Sequence, residues 1–205
     1  MPSSSPPPHP AGTPASARLV AWERLDESVG HSMAGVERRP GGWRCRGVEV
    51  LAGPGELLSC WFRVDLDDGW VTRELVAGAV GSAGERSLLL AADDDRRWSV
   101  DGEHRADLDG CVDVDVAATP LTNTFPIRRL GDLQVGLDVT TPIAWVDVPT
   151  LAVTRVEQTY RRLPDVEGLA AWVYRDPHYG PFLLTVDDDG LVVSYEGFAR
   201  RVAAR

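Results

Sequence analysis

Short runs in which apolar and polar residues alternate recur about every eight to twelve residues along most of this chain. Acidic or glycine-containing turns separate the runs, as at Asp67-Asp68-Gly69 and Asp93-Asp94-Asp95. Alternation is typical of strands with one buried face, and closely spaced hairpin turns are typical of antiparallel sheets. The pattern therefore predicts a mainly β fold with little helix. We expect an antiparallel meander that curls into a barrel-like or half-barrel sheet.

Three details of this meander are also predicted. Residues 88–95 resemble residues 182–189, so the sheet consists either of two related halves or of hairpins that match by chance. The segment 30–40 is rich in small and polar residues and reads as a link between strands. Residues 133–139 read as a strand, and the one helical turn is expected around residues 119–123.

Composition limits the classes of protein that this chain can belong to. It has 205 residues, of which 43% are hydrophobic, so it can build a sizeable core. The net charge of −10 argues against nucleic acid and anionic membrane surfaces as partners, because both require a basic face. Residues 1–17 are rich in Pro and Ser and are expected to be a disordered tail. Residues 18–205 are expected to form a single β domain.

The expected compartment is the cytoplasm. The first residues have neither the basic start nor the apolar stretch of a secretory signal, and no apolar run reaches membrane-spanning length. Cys45, Cys60 and Cys111 are widely spaced and odd in number, which disfavours a disulfide framework or a zinc motif. No nucleophile elbow, phosphate loop or dinucleotide fingerprint occurs, so we expect no cofactor.

The segment 110–130 concentrates the polar side chains that could form a site. Valines alternate with Asp113 and Asp115, so a strand would place both carboxylates on the same face, roughly 7 Å apart. Asn123 lies in the following turn between two X-Pro breaks, and Arg128 and Arg129 come directly after it. A guanidinium group matches a carboxylate with two parallel hydrogen bonds, so we expect aspartate–arginine pairs here.

Two interpretations of these charges stay open. In one, the pairs are structural and pin a loop to the sheet; in the other, they line a pocket and hold a polar head group. Arg73 joins the cluster if it faces inward, and otherwise lies at a solvated edge. A metal site is disfavoured because no histidine or cysteine ligands accompany the two aspartates. An enzyme of the hydrolase type, with Asp113 or Asp115 as acid or base, is the alternative to simple binding.

Longer motifs carry a resemblance to a known family. The most specific are residues 107–115 (DLDGCVDVD) and 119–130 (TPLTNTFPIRRL). Further matching positions are Trp70 with Arg73, residues 98–102, residues 146–149, Gln158 with Tyr160, and residues 189–192 with Tyr195. Over residues 18 to 202 the chain resembles the bacterial putative glycolipid-binding family.

The resemblance implies a fold like that of the periplasmic lipoprotein carriers, an antiparallel sheet curled around an apolar cavity. It also implies non-enzymatic binding of a lipid or glycolipid-like ligand. In that interpretation apolar contacts supply most of the affinity, and Asp113, Asp115, Asn123, Arg128 and Arg129, with Arg73, orient the polar head. The family supplies no catalytic residues.

Overall fold

The computed structural model describes residues 17–53, 56–82, 84–117, 119–177 and 179–205. In these ranges the chain forms fifteen strands and one α-helix, α1 (Thr124–Arg129). The strands are β1 (Arg18–Arg24), β2 (Val29–Arg39), β3 (Gly42–Gly53), β4 (Glu56–Asp67), β5 (Thr72–Gly81), β6 (Gly84–Ala92), β7 (Trp98–Val100), β8 (Glu103–His104), β9 (Asp113–Val116), β10 (Asp138–Val146), β11 (Val153–Val166), β12 (Leu169–Arg175), β13 (Phe182–Val186), β14 (Val192–Tyr195) and β15 (Ala199–Ala204). Short 3-10 turns cover Ala106–Leu108 and Leu121–Asn123.

All the described strands belong to one sheet, in the order β8-β7-β6-β5-β4-β3-β2-β1-β15-β14-β13-β12-β11-β10-β9. Two meanders meet in its middle, where β1 pairs antiparallel with β15. β9 runs parallel to β10, and the other described pairs are antiparallel. The prediction of a mainly β, antiparallel fold with little helix is confirmed.

The sheet bends until β9 approaches β5, but no strand ladder joins them, so the sheet is not closed. The Thr72 amide donates to the Val112 carbonyl at 3.2 Å, and the Val114 amide donates to the Thr72 hydroxyl at 3.2 Å. The Arg96 guanidinium donates to the carbonyls of Thr72, Cys111 and Val112 at 2.6, 2.7 and 2.9 Å. Side-chain hydrogen bonds thus hold together the edge where a barrel would close.

The same aspartate turn joins strands three times. The Oδ1 atoms of Asp67, Asp93 and Asp187 each accept from the amides two and four residues further on, at 2.9–3.1 Å. Asx turns of this kind fix a hairpin locally. In the first two turns the fourth residue, Trp70 or Arg96, has a positive φ of 63° or 61°. The Trp70 ring then lies against Arg128 of α1. The Arg96 guanidinium donates to the carbonyls of Cys111 and Val112, directly before β9.

The internal sequence match falls on two of these turns. Residues 88–95 are part of β6 and its turn, and residues 182–189 are part of β13 and its turn. The same turn also joins β4 to β5. The similarity between residues 88–95 and 182–189 therefore reflects a hairpin type that occurs in both meanders.

Two local predictions were wrong. The segment 30–40 is a strand, β2, because hydrogen bonding to β1 on one side and β3 on the other outweighs the weak β propensity of its small residues. Its Gly30 is needed there, since a Cβ would lie 2.5 Å from the Val50 carbonyl oxygen. Residues 133–137 are turns and irregular chain, and the strand begins only at Asp138. Gly136, with φ of 90°, interrupts the run.

One apolar core joins the two meanders to the central segment. Trp22 and Phe62 from the first meander and Trp172 from the second pack in the same cluster as Leu121 and Phe125. The expected tail, residues 1–17, lies outside the described residues except for residue 17, so the division into tail and domain stays a prediction. No helix in the described ranges is long and apolar enough to cross a membrane.

Candidate functional site

The segment 110–130 forms β9, the 3-10 turn and α1, and its second half is buried. Every residue from 119 to 127 is inaccessible or nearly so, including the polar Thr122, Asn123 and Thr124. The helical turn predicted at residues 119–123 is present and continues as α1. This segment therefore packs against the buried face of the sheet, where the family resemblance placed an apolar cavity.

Asp113 and Arg129 form a buried ion pair. The two guanidinium nitrogens of Arg129 each lie 2.6 Å from one Asp113 oxygen, and the side chains are 2% and 18% exposed. Burial raises the pKa of Asp113, and the Arg129 guanidinium opposes that rise. Both carboxylate oxygens bind the guanidinium, so this pair connects α1 to β9.

Asp115 lies two residues further along β9 and has different partners. It accepts from the Thr122 hydroxyl at 2.5 Å and from the Gln158 side-chain amide at 2.6 Å. Both donors are neutral. Burial raises the pKa of Asp115, and the nearby charges of Asp176 and Asp113 raise it further.

Gln158 connects Asp115 to the next strand. Its amide nitrogen also donates to the Tyr174 hydroxyl at 2.9 Å, and that hydroxyl donates to Asp176 at 3.0 Å. Burial raises the pKa of Tyr174 well above its ordinary value, so the phenol keeps its proton and remains a donor. A continuous chain of hydrogen bonds thus joins β9, β11 and the residue that follows β12.

Asn123 is held from the same strand as Gln158. Its side-chain oxygen accepts from the Tyr160 hydroxyl at 2.9 Å, and Asn123 is only 5% exposed. Burial raises the pKa of Tyr160 as well. The amide of Asn123 is therefore fixed in orientation before any ligand arrives.

Arg128 and Arg73 lie away from this cluster, which corrects the expectation that the arginines act together. Arg128 lies with its guanidinium carbon 5.2 Å from the centre of the Trp70 ring and donates to the Asp188 carbonyl at 3.2 Å. Its chain packs on Gly190, where a Cβ would come within 2.7 Å. Arg73 pairs with Asp67 and with the exposed Asp94. Arg73 therefore lies at a solvated edge of the sheet, which was the second alternative for this residue.

A cleft of about 480 Å³ opens beside Asp115 and Asn123, and it is called the aromatic cleft below. Its buried end is lined by Asp115, Ala117, Thr119 and Asn123. Its more exposed edge is lined by Arg24, Asp26, Asp147 and Asp176. A volume of this size lies within the range of small-molecule sites.

Aromatic rings form the wall of the cleft. They are Trp145, Tyr174, Tyr179, Phe182, Tyr195 and Phe198. Neighbouring centroids are close: 5.5 Å for Phe182–Tyr195, 4.7 Å for Tyr195–Phe198 and 6.2 Å for Tyr174–Tyr195. These distances are typical of packed aromatic pairs, so the wall is preformed.

A buried carboxyl lies behind the cleft. Glu49 on β3 is 0% exposed, and its side-chain oxygens make no well-aligned hydrogen bond among the described residues, although two hydroxyl groups lie close enough to oppose part of the rise in its pKa. Ser32 and Thr119 lie beside it, and Thr119 also lines the cleft. Burial raises the pKa of Glu49 to about 8. Across the described ranges, no group of three or more His, Cys, Asp or Glu could hold a metal ion.

A family model described as "Putative glycolipid-binding" matches residues 19–201. The chain belongs to this family. The resemblance seen in the motifs at residues 107–115 and 119–130 is thereby confirmed. No curated protein matches the sequence.

Two solved structures resemble this member of the putative glycolipid-binding family. A DUF1089 family protein from Pseudomonas aeruginosa is 29% identical, with a TM-score of 0.69 over 83% of this chain and 92% of that one. A beta-barrel-like protein of the domain of unknown function DUF1849 from Brucella abortus is 12% identical. Its TM-score is 0.57 over 94% of this chain and 98% of that one, which shows a shared fold.

Sequence reasoning found two of the residues that line the cleft, Asp115 and Asn123, and missed most of the others. Gln158 carried a usable signal, since a polar residue at an inward position of a strand needs a buried partner. Asp176 and Arg24 carried none, because strand ends that are distant in the chain meet only in the folded sheet.

Proposed function

We propose that this protein binds a lipid or glycolipid-like molecule without catalysing its conversion, and that the polar head occupies the aromatic cleft. One observation supports this most directly: a preformed aromatic wall faces oriented polar groups in a space of about 480 Å³. Sites for small polar molecules commonly combine apolar walls with a few fixed polar groups. The family description agrees with this proposal.

The roles of the predicted site residues divide under this proposal. Asp115 and Asn123 line the cleft and would contact the head. Asp113 and Arg129 would act indirectly, by holding β9 against α1. Arg73 and Arg128 are not among the cleft-lining residues and take no part. A cytoplasmic location is also proposed, and cell fractionation tests it.

Hydrolysis is the second candidate, and a specific observation favours it. Asp115 has a raised pKa in an open cleft, and Asp176 is linked to it through Gln158 and Tyr174. Carboxyls with separated environments can serve as acid and base. Asp113, the other carboxyl that the sequence offered, is buried, bound to Arg129 and not among the cleft-lining residues, so it takes no part in this alternative. Release of nitrophenol from nitrophenyl glycosides, abolished by Asp115→Asn, would establish this alternative.

The binding proposal is tested by native mass spectrometry of the protein as purified, with organic extraction of bound molecules, followed by titration with octyl β-D-glucoside below its micellar concentration. Trp145 lines the cleft, so the summed fluorescence of the seven tryptophans should change when the cleft is occupied. We expect a saturable change with one molecule bound per chain. Lack of saturation in the titration together with a ligand-free mass would refute the proposal.

A matched pair of variants locates the site. Tyr179 lines the cleft and is 63% exposed, so Tyr179→Ala should lower affinity severalfold without lowering the melting temperature. Leu137 is 51% exposed and is not among the cleft-lining residues, so Leu137→Ala should leave affinity unchanged. Equal losses in both variants would show that the probe binds elsewhere.

A further inference from the structure

The charges of the aromatic cleft are strongly unbalanced. Its lining includes four aspartates and a single arginine, Arg24. The Arg24 guanidinium is already bound to Asp26 through two hydrogen bonds, and its side chain is only 8% exposed. The cleft lining therefore holds more carboxyl groups than guanidinium groups.

Asp115 lies at the buried end, where burial raises the pKa of its carboxyl and an entering cation would lower that pKa again. Its strand neighbour Asp113 is neutralised by Arg129, whereas Asp115 is held only by the neutral donors of Thr122 and Gln158. No ion pair to Asp115 occurs among the described residues. A buried carboxylate without a cation is costly, so a cationic group supplied by a ligand would be stabilised there.

The aromatic wall has the same preference. The faces of aromatic rings carry partial negative charge and attract cations within about 6 Å of the ring centroid. The cleft already shows one such contact, since the guanidinium carbon of Arg24 lies 3.9 Å from the centre of the Phe198 ring. Tyr174 and Tyr195 have their pKa values raised by burial, so both stay neutral and their faces remain available.

We propose that the aromatic cleft selects a head group that carries a protonated amine, as an amino sugar does, over neutral and anionic heads. The ammonium donates to Asp115 and Asp176, and the carbon frame of the head lies against Tyr174 and Tyr195. Phosphate and carboxylate heads are rejected by the same aspartates. This inference rests on the proposed function, because it specifies the ligand of the same cleft.

Three probes that differ in one group test the inference. They are octyl β-D-glucoside, its 2-amino-2-deoxy analogue octyl β-D-glucosaminide, and octyl β-D-glucuronide, which share a chain and a ring. Since hydrogen bonds to charged groups are stronger than neutral ones, we expect the glucosaminide to bind about tenfold more tightly than the glucoside. The glucuronide should bind most weakly.

Variants of the cleft aspartates test whether the preference for an amine arises in the aromatic cleft. Asp115→Asn should reduce the ratio of glucosaminide to glucoside affinity to about onefold to twofold, whatever the change in glucoside affinity itself. Asp176→Asn is the second variant, in case Asp115→Asn folds poorly. Asp94→Asn changes the net charge equally at a side chain that is 98% exposed, and it should preserve the ratio.

The outcomes separate this inference from the function it rests on. Equal affinities for glucosaminide and glucoside, or a ratio that survives in both cleft variants, would refute the amine preference and leave binding itself intact. Failure of all three probes to bind, together with a ligand-free native mass, would refute the proposed function, and the amine preference would fall with it.

Discussion

Asp113 and Asp115 point to the same side of β9, yet only Asp113 is paired with a guanidinium. Arg129 engages both oxygens of Asp113 at 2.6 Å, while Thr122 and Gln158 hold Asp115 with neutral donors. The structural interpretation of this cluster therefore describes Asp113, and the proposed binding role applies to Asp115. Asp113 has the geometry of a structural pair, and Asp115 lies at the buried end of an open cleft.

Asp113→Asn is expected to destabilise the fold. Removing one partner of a buried ion pair leaves the other charge uncompensated, which costs about 3–5 kcal/mol. Urea unfolding at neutral pH measures this loss. Arg73→Gln is the control, because Arg73 and its partners Asp67 and Asp94 all reach solvent and pairs of that kind contribute little. Similar midpoints for wild type and Asp113→Asn would show that the pair is not needed for stability.

Glu49→Gln is expected to change how stability depends on pH. The pKa of Glu49 is raised to about 8 in the folded protein, whereas an ordinary glutamate titrates near 4.3. Between these values the folded state holds a proton that the unfolded chain has released, so stability decreases as pH rises through this window. Below it both states are protonated and the penalty disappears. The variant lacks this proton, so it should gain about 3–5 kcal/mol over wild type between pH 4.5 and pH 8.

Urea unfolding of both proteins at pH 5, 6.5 and 8 measures this difference directly, because other titrating groups are common to both. Glu157→Gln on the exposed side of β11 is the control and should track wild type at each pH. Parallel curves for Glu49→Gln and wild type would mean that Glu49 is ionised in the folded protein.

Glu49 also shows where sequence reasoning reaches its limit. Val48 and Val50 flank it, and alternation alone would bury the valines and expose the glutamate. The structure does the reverse: the valines are 46% and 52% exposed, and Glu49 is 0% exposed. The register of a strand is set by all its neighbours in the sheet, and a shift of one residue exchanges its two faces. The sequence of one strand alone therefore does not predict which of its two faces is buried.

The segment 110–130 was more predictable because its signals are local. Alternating valines and aspartates indicated β9, and the X-Pro breaks indicated the turn. Aspartate–arginine pairing was also expected, but not which arginine would be used. Adjacent helix residues point about 100° apart, so α1 directs Arg129 to Asp113 and Arg128 to Trp70. Which arginine pairs with Asp113 depends on how α1 is rotated and packed against β9, and no local sequence pattern predicts that packing.

Arg96→Met is expected to loosen the edge between β5 and β9. The guanidinium of Arg96 donates to the carbonyls of Thr72, Cys111 and Val112, and the variant leaves these acceptors without it. The Val112 carbonyl keeps the Thr72 amide as a donor and the Cys111 carbonyl keeps the Trp98 indole, so the loss falls mainly on the Thr72 carbonyl. An unsatisfied buried acceptor costs about 1–3 kcal/mol, and we expect a loss of that size. Hydrogen exchange at the Thr72 and Val114 amides should accelerate as well.

The neighbouring Arg97 supplies the control for this edge. It is exposed, so Arg97→Met removes the same charge without touching the three carbonyls. If Arg97→Met loosened the Val114 amide as much as Arg96→Met does, net charge and not the hydrogen bonds would be responsible.

Tyr160→Phe is expected to release Asn123. The Tyr160 hydroxyl donates to the side-chain oxygen of Asn123 at 2.9 Å, and the variant leaves that buried acceptor unsatisfied. A loss of about 1–3 kcal/mol in unfolding free energy follows. Since Asn123 lines the aromatic cleft, the affinity for octyl glucoside should fall too.

Tyr195→Phe is the control. The Tyr195 hydroxyl belongs to another ring of the cleft and makes no hydrogen bond within the described chain, so its removal should leave stability unchanged. Equal unfolding midpoints for the two variants would show that the Tyr160–Asn123 bond does not stabilise the fold. Unchanged affinity in Tyr160→Phe would show that a fixed Asn123 is not part of the binding site.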